Sequence, residues 1–492
     1  MRPIRTRAGS DGGRRDGTAP KPPSIVIVGS GFAGFECARR LSKLLQRRRS
    51  DATITLVSPV DYLLYTPLLP DVAGGAIDPR FATVPLIDIL PGVRLLRAYV
   101  ESVDLSARSL QCRDQEDTCH ELSWDRLVLT PGSISRLFDI PGLAEHARGL
   151  KSPAQALYLR DHILEQFELS RTDSDRERAA ARRTIVVFGS SYSGTELIAQ
   201  LCALAAMAAR HFGFEPGEVR LILVERSGRM MPELGPKLAE RAERVLRRRG
   251  VQVLVGVTLS RVADDHVILS DGTRIGTYTV AWVAGVVANP LIASLGLPTE
   301  KGRLKVGPDL QLPGFDGVYA GGDAAAVPDA TNPGKITAPT AQHANRQGKV
   351  LARNVAASLG YGRAGEYRHR DLGTVVDLGP GFAVANPLNI QLSGLPAKLV
   401  TRLYHLYAIP RNANRWAVAL GYLTNALFGR PLVSIGFAQS SLARFSVSEE
   451  FMSASGVMHP SDTEMYADEL RYQQASPDRG TQPDNDREAG CQ

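Results

Sequence analysis

The apolar and polar positions of the chain sort into short strand-like runs, glycine turns and helix-forming stretches. Ser24-Ile-Val-Ile-Val28 is a β-branched apolar run, the turn Gly29-Ser-Gly31-Phe32-Ala33-Gly34 follows at once, and the segment to Leu41 is helix-forming. This predicts a strand, a tight turn and a helix. Ala52–Val57 reads as the next strand, and the apolar, proline-punctuated run from Asp61 through Thr66 and Pro67 to Pro70 reads as an irregular wall rather than a helix or strand. Residues 93–130 alternate like short strands, with a hairpin at Cys112–His120 and a last strand, Arg126–Thr130, stopping at Pro131-Gly132. Asp173–Arg183 is dense in charge and poor in large apolar side chains, the pattern of a solvated linker.

Beyond that linker the opening pattern recurs. Thr184-Ile-Val-Val-Phe-Gly189-Ser-Ser191-Tyr-Ser-Gly194-Thr-Glu196 has the same strand, turn and helix, with Ser191 in place of the middle glycine. Val219–Val224 is a further strand, and it ends in Glu225. Near the other end, Phe315–Ala320 runs into Gly321-Gly322-Asp323 and a small-residue segment expected to be helical. In a Rossmann unit such a turn lets the backbone approach a pyrophosphate, and the helix N-terminus offers free N–H groups to it. Two flanked copies therefore predict an α/β chain with two dinucleotide-binding units. At the ribose position the first unit has Ser58 instead of an acid, while Glu225 of the second accepts from a ribose 2′-OH and repels a 2′-phosphate. That favours NADH, although the adjoining Arg226 leaves a 2′-phosphate open. Asp323 suits ribityl hydroxyls or a helix N-cap, two compatible roles.

Composition narrows the classes further. The 492 residues carry a net charge of +7, and runs such as Arg47–Arg49 and Arg247–Arg249 follow expected helices, where cations complement the C-terminal dipole. No nucleic-acid motif accompanies them. Five scattered cysteines lack C-x-x-C or zinc-ligand spacing, which argues against a metal site or a dithiol catalyst and fits a reducing compartment. Residues 1–23 have no apolar core segment and read as a disordered basic arm; from about residue 453 the chain is again polar and reads as a disordered tail.

With Gly29–Gly34, Tyr65-Thr-Pro-Leu-Leu-Pro70, Gly189–Glu196, Trp282-Val-Ala-Gly285-Val-Val-Ala-Asn-Pro290, Gly321–Asp323 and Thr340-Ala341-Gln342-His-Ala-Asn-Arg346-Gln347-Gly348 in this order, the chain resembles the type II NADH:quinone oxidoreductases. The resemblance spans roughly residues 24–440 and implies a glutathione-reductase-like flavoprotein fold. It implies non-covalent FAD held at Gly29, Gly31, Phe32, Ala33, Gly34, Ser58, Thr66, Pro67, Gly132, Gly322, Asp323 and Ala341. NADH, as substrate, falls to Gly189, Ser191, Gly194, Glu225 and Gly285. Glu196, Gln342 and Arg346 are implied at the reacting centre, with Arg346 standing where the family pattern has glutamine.

The expected domains are FAD-binding residues 24–172 and 301–365, NADH-binding residues 184–300 and a C-terminal region, 366–452. Pro396–Tyr407 and Asn414–Arg430 mix apolar, aromatic and basic residues, are too short to span a bilayer, and suit its surface with Tyr404, Tyr407 and Trp416 at headgroup level. A peripheral enzyme on the cytoplasmic face of the cell membrane is expected, a homodimer being possible for the same helices. The leading reading is non-pumping electron transfer from NADH through FAD to a membrane quinone. An NADH-dependent flavin reductase with a soluble acceptor, or a nucleotide-binding redox sensor without turnover, are the alternatives.

Overall fold

The computed structural model describes residues 21–215, 217–369, 372–436 and Phe445. Most of the basic arm and the whole polar tail expected above lie outside the described residues. Two parallel sheets organise the rest. The first combines β1 (Ser24–Val28), β2 (Thr53–Ser58), β3 (Arg94–Asp104), β4 (Ser109–Asp114), β5 (Cys119–Ser123) and β6 (Arg126–Leu129). The second contains β7 (Ala147–Arg148), β8 (Thr184–Phe188), β9 (Arg220–Glu225), β10 (Val251–Val255) and β11 (Thr279–Trp282); β12 (Val318–Ala320) returns to the first. Their orders are β12-β6-β1-β2-β3-β4-β5 and β7-β11-β8-β9-β10. β1, β2, β3, β6 and β12 pair in parallel, and β3-β4-β5 form an antiparallel meander at the edge.

The glycines explain why each turn forms where it does. Gly29 has φ +93°, and a Cβ there would stand 2.2 Å from the Thr130 carbonyl oxygen at the end of β6. A Cβ on Gly34, in the first turn of α1 (Phe32–Arg47), would stand 1.9 Å from the Gly29 oxygen. The second unit repeats this: Gly189 has φ +99° and a Cβ on Gly194 would again come 1.9 Å from the carbonyl of the turn glycine. Only glycine fits where helix and turn backbones approach so closely.

Several expectations are corrected. The wall before Pro70 is regular: a short strand, Tyr62–Leu64, a 3₁₀ turn, Thr66–Leu68, and helix α2 (Leu69–Ala73). Pro67 and Pro70 occupy first-turn positions, where a missing N–H costs nothing. β7, from within the segment assigned to FAD, pairs with β11 of the second sheet, so the chain enters the second unit well before residue 184. Helix α3 (Pro153–Thr172), capped by Ser152, follows. The linker is a helix, α4 (Arg176–Arg182): Asp175 caps it, and Asp173 accepts from Arg178 and Arg182, so its charges are spent on local pairs. After Gly321 comes a 3₁₀ turn, Gly322–Ala324, and a strand, Ala325–Ala326, in place of a helix.

Helix α5 (Tyr192–Phe212) packs on the second sheet, and α6 (Ala341–Ser358) lies along α1, where a Cβ on Gly348 would meet the Ala33 oxygen at 2.5 Å. The C-terminal region forms an antiparallel sheet, β13 (Val375–Asp377), β14 (Ala383–Ala385) and β15 (Leu392–Gly394), then helices α7 (Leu395–Ala408) and α8 (Asn412–Phe428). One side of α7 exposes Leu395, Leu399, Leu403 and Tyr407, and α8 exposes Trp416, Leu420, Leu423, Leu427 and Phe428. Spacings of three and four residues put the α7 set on one helix face and Trp416, Leu420, Leu423 and Leu427 on one face of α8, with Phe428 beside them at its end. Tyr404, expected with them, is half-buried, its ring edge-on to that of His405. Among the described residues, no helix is long and apolar enough to cross a membrane.

Candidate active site

The first unit presents an open cradle. No side chain caps α1 at Gly31, so its leading N–H groups stay free, and a Cβ on Gly31 would meet nothing within 4 Å. Phe32 packs edge-on to Tyr65, and Ala33 is buried under Gly322. Ser58, at the end of β2, exchanges a 2.7 Å hydrogen bond with Ser30 of the turn. Thr66 and Pro67 form the adjoining 3₁₀ turn, Thr66 exposed. Gly132 has φ +82° with open space before it.

Opposite, Asp323 is fixed by its neighbours. Ser133 donates to its carboxylate at 2.7 Å, while Arg303 donates to the Asp323, Gly322 and Thr337 carbonyls. Gln347 accepts from the Gly322 N–H at 2.7 Å and donates to the Thr337 hydroxyl at 3.1 Å. These contacts tie Gly321–Asp323 to the start of α6, where Ala341 and Gln342 sit.

In the second unit the N-terminus of α5 is likewise without a side-chain cap at Ser191, and Gly285, φ +102°, faces open space beyond β11. Glu225 stands at the end of β9 as expected, but much of its hydrogen-bonding capacity is taken. The Ser190 N–H and hydroxyl donate to Oε2, each at 2.8 Å, and the Ser227 N–H to Oε1 at 2.8 Å. Burial raises its carboxyl, but these donors outweigh it and hold the pKa below the usual range. The Ser227 hydroxyl is a further donor to it, so a ribose hydroxyl would compete with the serines for this carboxylate.

Glu196 is buried rather than a helix-surface acid. Its Oε1 accepts from the Asp377 N–H at 2.9 Å. Burial pushes its pKa well above the carboxylate range; the Asp377 N–H and Arg402 pull it down, and the charges of Asp377 and Asp71 raise it further. Around it lies a network that sequence reasoning missed. Arg402 of α7 pairs with Asp71 of α2 and Asp377 of β13, both at 3.0 Å. Lys398 donates to Asp377 Oδ2 at 2.7 Å, Gln200 to Asp71 at 3.1 Å, and the Tyr65 hydroxyl meets His405 Nδ1 at 3.0 Å. The Tyr65 hydroxyl, its pKa raised by burial, is also within electrostatic reach of Glu196.

Gln342 and Arg346 share one face of α6, a turn apart. Gln342 donates to the Gly373 carbonyl and accepts from Arg346 at 3.3 Å, and Arg346 donates to His369 Nδ1 at 3.0 Å. Arg346 is also the charge that lowers the Tyr404 hydroxyl's pKa, against the larger raising effect of burial. Phe32, Tyr65 and His405 of α7 thus form a run of ring contacts that continues to Tyr404, with Glu196 within electrostatic reach of Tyr65 and Arg346 of Tyr404.

The chain matches the pyridine nucleotide-disulphide oxidoreductase family over residues 23–348. It is 32% identical over 408 residues to the type II NADH:quinone oxidoreductase Ndh of Mycobacterium tuberculosis, covering 79% of this chain and 84% of that protein. The chain belongs to the type II NADH:quinone oxidoreductases. Among other relatives of this enzyme is the demethylphylloquinone reductase NdbB of Synechocystis, 29% identical over 412 residues, with 82% of this chain and 96% of that protein covered. The NDH2 of Plasmodium falciparum, solved with NADH, superposes with a TM-score of 0.76 at 17% identity over 84% of this chain and all of that one, and so shares the fold of this type II oxidoreductase.

Proposed function

We infer that this enzyme oxidises NADH in its second unit and delivers two electrons to a membrane quinone through FAD held non-covalently in its first. The observation that carries the assignment is the duplicated cradle, a left-handed turn glycine and a contact-tight helix glycine before an uncapped helix, in a chain of this family. FAD fits the first cradle: free N–H groups for a pyrophosphate at α1, open space at Gly31 and Gly132, and the Asp323 carboxylate, with lone pairs to spare, for ribityl hydroxyls. When bound, the flavin supplies a ring that takes a hydride on one side and passes electrons on from the other.

The protein's own work is placement. Gly189, Ser191 and Gly194 admit the NADH pyrophosphate, Gly285 leaves room beside it, and Glu225 takes the ribose hydroxyl. Glu196, kept protonated further toward neutral pH by burial, holds a proton beside the reacting centre. Gln342 and Arg346 present amide and guanidinium N–H groups to a quinone carbonyl, which closes the site to water once the acceptor is in place. The apolar faces of α7 and α8 lie on the cytoplasmic surface of the cell membrane, so a lipid-borne quinone enters from the side those helices cover.

Anaerobic addition of NADH should bleach the flavin absorbance, and a quinone analogue should restore it. Absence of bleaching refutes NADH oxidation. Bleaching that ferricyanide reverses but quinones do not refutes the acceptor and favours a soluble carrier, a reading to which the charge of Arg346 lends weight.

A further inference from the structure

Lys151 is a cation with unused donors at the seam of the two units. Its Nζ lies 3.3 Å from the Ser133 hydroxyl, which itself donates to Asp323 at 2.7 Å. An ammonium carries three N–H donors. Among the described residues, Ser133 is the only hydrogen-bond partner of this one, and no ion pair joins it to a carboxylate. A lysine serving only to neutralise Asp323 would pair with it directly; here a hydroxyl stands between them, and the remaining protons are left for something else. The side chain is half-buried, and leaving an ammonium drawn away from bulk water short of acceptors is costly unless a ligand completes its shell.

Its place in the fold says what that ligand is. The strand Ser133–Ser135 pairs with Val286–Ala288, Asn289 donates to the Gly132 carbonyl at 3.0 Å, and Arg136 donates to the Gly285 carbonyl at 3.1 Å. The Gly132 and Asp323 floor of the first cradle therefore meets the Gly285 segment of the second at this point, where a ring bound in one unit must face a ring bound in the other. The backbone of Lys151 is held there by Gln155, whose Oε1 accepts from its N–H at 2.7 Å, just ahead of the Ser152 cap of α3.

We propose that Lys151 donates to the carbonyl edge of the flavin ring and stabilises the negative charge the ring takes on when reduced. Burial lowers the pKa of this ammonium and the Asp323 charge partly restores it, so an added negative charge beside it is favoured. This rests on the first cradle holding a flavin, as inferred above.

Sulfite is a suitable probe, because it adds to a flavin to give an anionic ring without involving NADH or a quinone. Full-length holoenzyme carrying Lys151→Met should keep its flavin, bind sulfite about 10- to 100-fold more weakly, the span for losing one hydrogen bond to a charged group, and show a lower flavin midpoint potential. Lys151→Arg should recover most of both. Sulfite affinity and potential unchanged in Lys151→Met would overturn the proposal. If Lys151→Met loses its flavin, Lys151→Arg decides: recovery of flavin and sulfite affinity supports the contact, and failure to recover overturns it. A wild-type chain that neither carries nor takes up a flavin would instead refute the cofactor reading.

Discussion

Replacing Arg402 with methionine tests whether the ion network holds the C-terminal helices to the two units. Its guanidinium lies 3.0 Å from Asp71 and 3.0 Å from Asp377, whose side chains are 4% and 6% exposed. At an effective dielectric near 20, each contact is worth about 5 kcal/mol before desolvation, and desolvation cancels most of that in the intact network. The variant keeps the cost and loses the gain. Asp377 retains Lys398, whereas Asp71 loses its direct ion pair and keeps the neutral Gln200 amide, with Tyr422 and the Arg430 charge within electrostatic reach. Removing one partner of such a pair costs about 3–5 kcal/mol. Urea unfolding, followed by intrinsic fluorescence, should show that loss for Arg402→Met. Arg80→Met removes a solvent-exposed pair with Asp78 and should leave the transition where it was. If the two variants unfold alike, the network does not tie α7 to α2 and β13, and the electrostatic reasoning is wrong.

Other outcomes follow from local geometry. Gly34→Ala drives a Cβ to 1.9 Å from the Gly29 oxygen and should abolish flavin retention after gel filtration, whereas Gly31→Ala meets no protein atom and should weaken retention while leaving the fold's circular dichroism unchanged. Trp416→Ala combined with Leu420→Glu should cut co-sedimentation with anionic vesicles without altering NADH:ferricyanide activity; unchanged sedimentation would remove α8 from the lipid contact. His162 is half-buried and His405 buried, and loss of solvation lowers both to about 4. The unfolded chain takes up these protons first, near pH 6.5, so each histidine's contribution should fall by about 3 kcal/mol from there down to about pH 4, opposite in sign to that of the raised Glu196 carboxyl, and is read as the difference between wild type and His405→Gln. A difference between the two proteins that does not change with pH across this range would contradict the burial.

What the sequence disclosed was whatever backbone geometry demands of a particular residue. Gly34 and Gly194 were legible because a Cβ at either collides with the backbone of its own turn, and Gly29 and Gly189 because the turn holds them at positive φ; the Thr130 and Val283 carbonyls that also crowd those two lie far along the chain. Charge was a poorer guide. Asp173 and Asp175 looked like solvation and proved to be a helix cap and an arginine clamp. The alanines after Asp323 have helical propensity, but Ala325 and Ala326 pair with Leu304 and Lys305, and tertiary pairing overrides propensity. Asp71, Asp377 and Arg402 carry no local pattern at all, since each acquires meaning only from partners far along the chain. Arg346 stood out as a departure from the family pattern, while its partner His369 could not be foreseen.

Arg303 and Gln347 have a consequence for how this protein can be altered. Together they clamp both ends of the segment between Asp323 and Thr337, so the intervening exposed turn around Asp329–Lys335, closed by its own Asp329 bonds, carries none of the cradle's geometry. Lengthening a loop costs only about 0.6 kcal/mol per doubling. An epitope, a fluorophore or a surface-immobilisation tag placed there would leave the cofactor cradle and the apolar-faced C-terminal helices alike untouched.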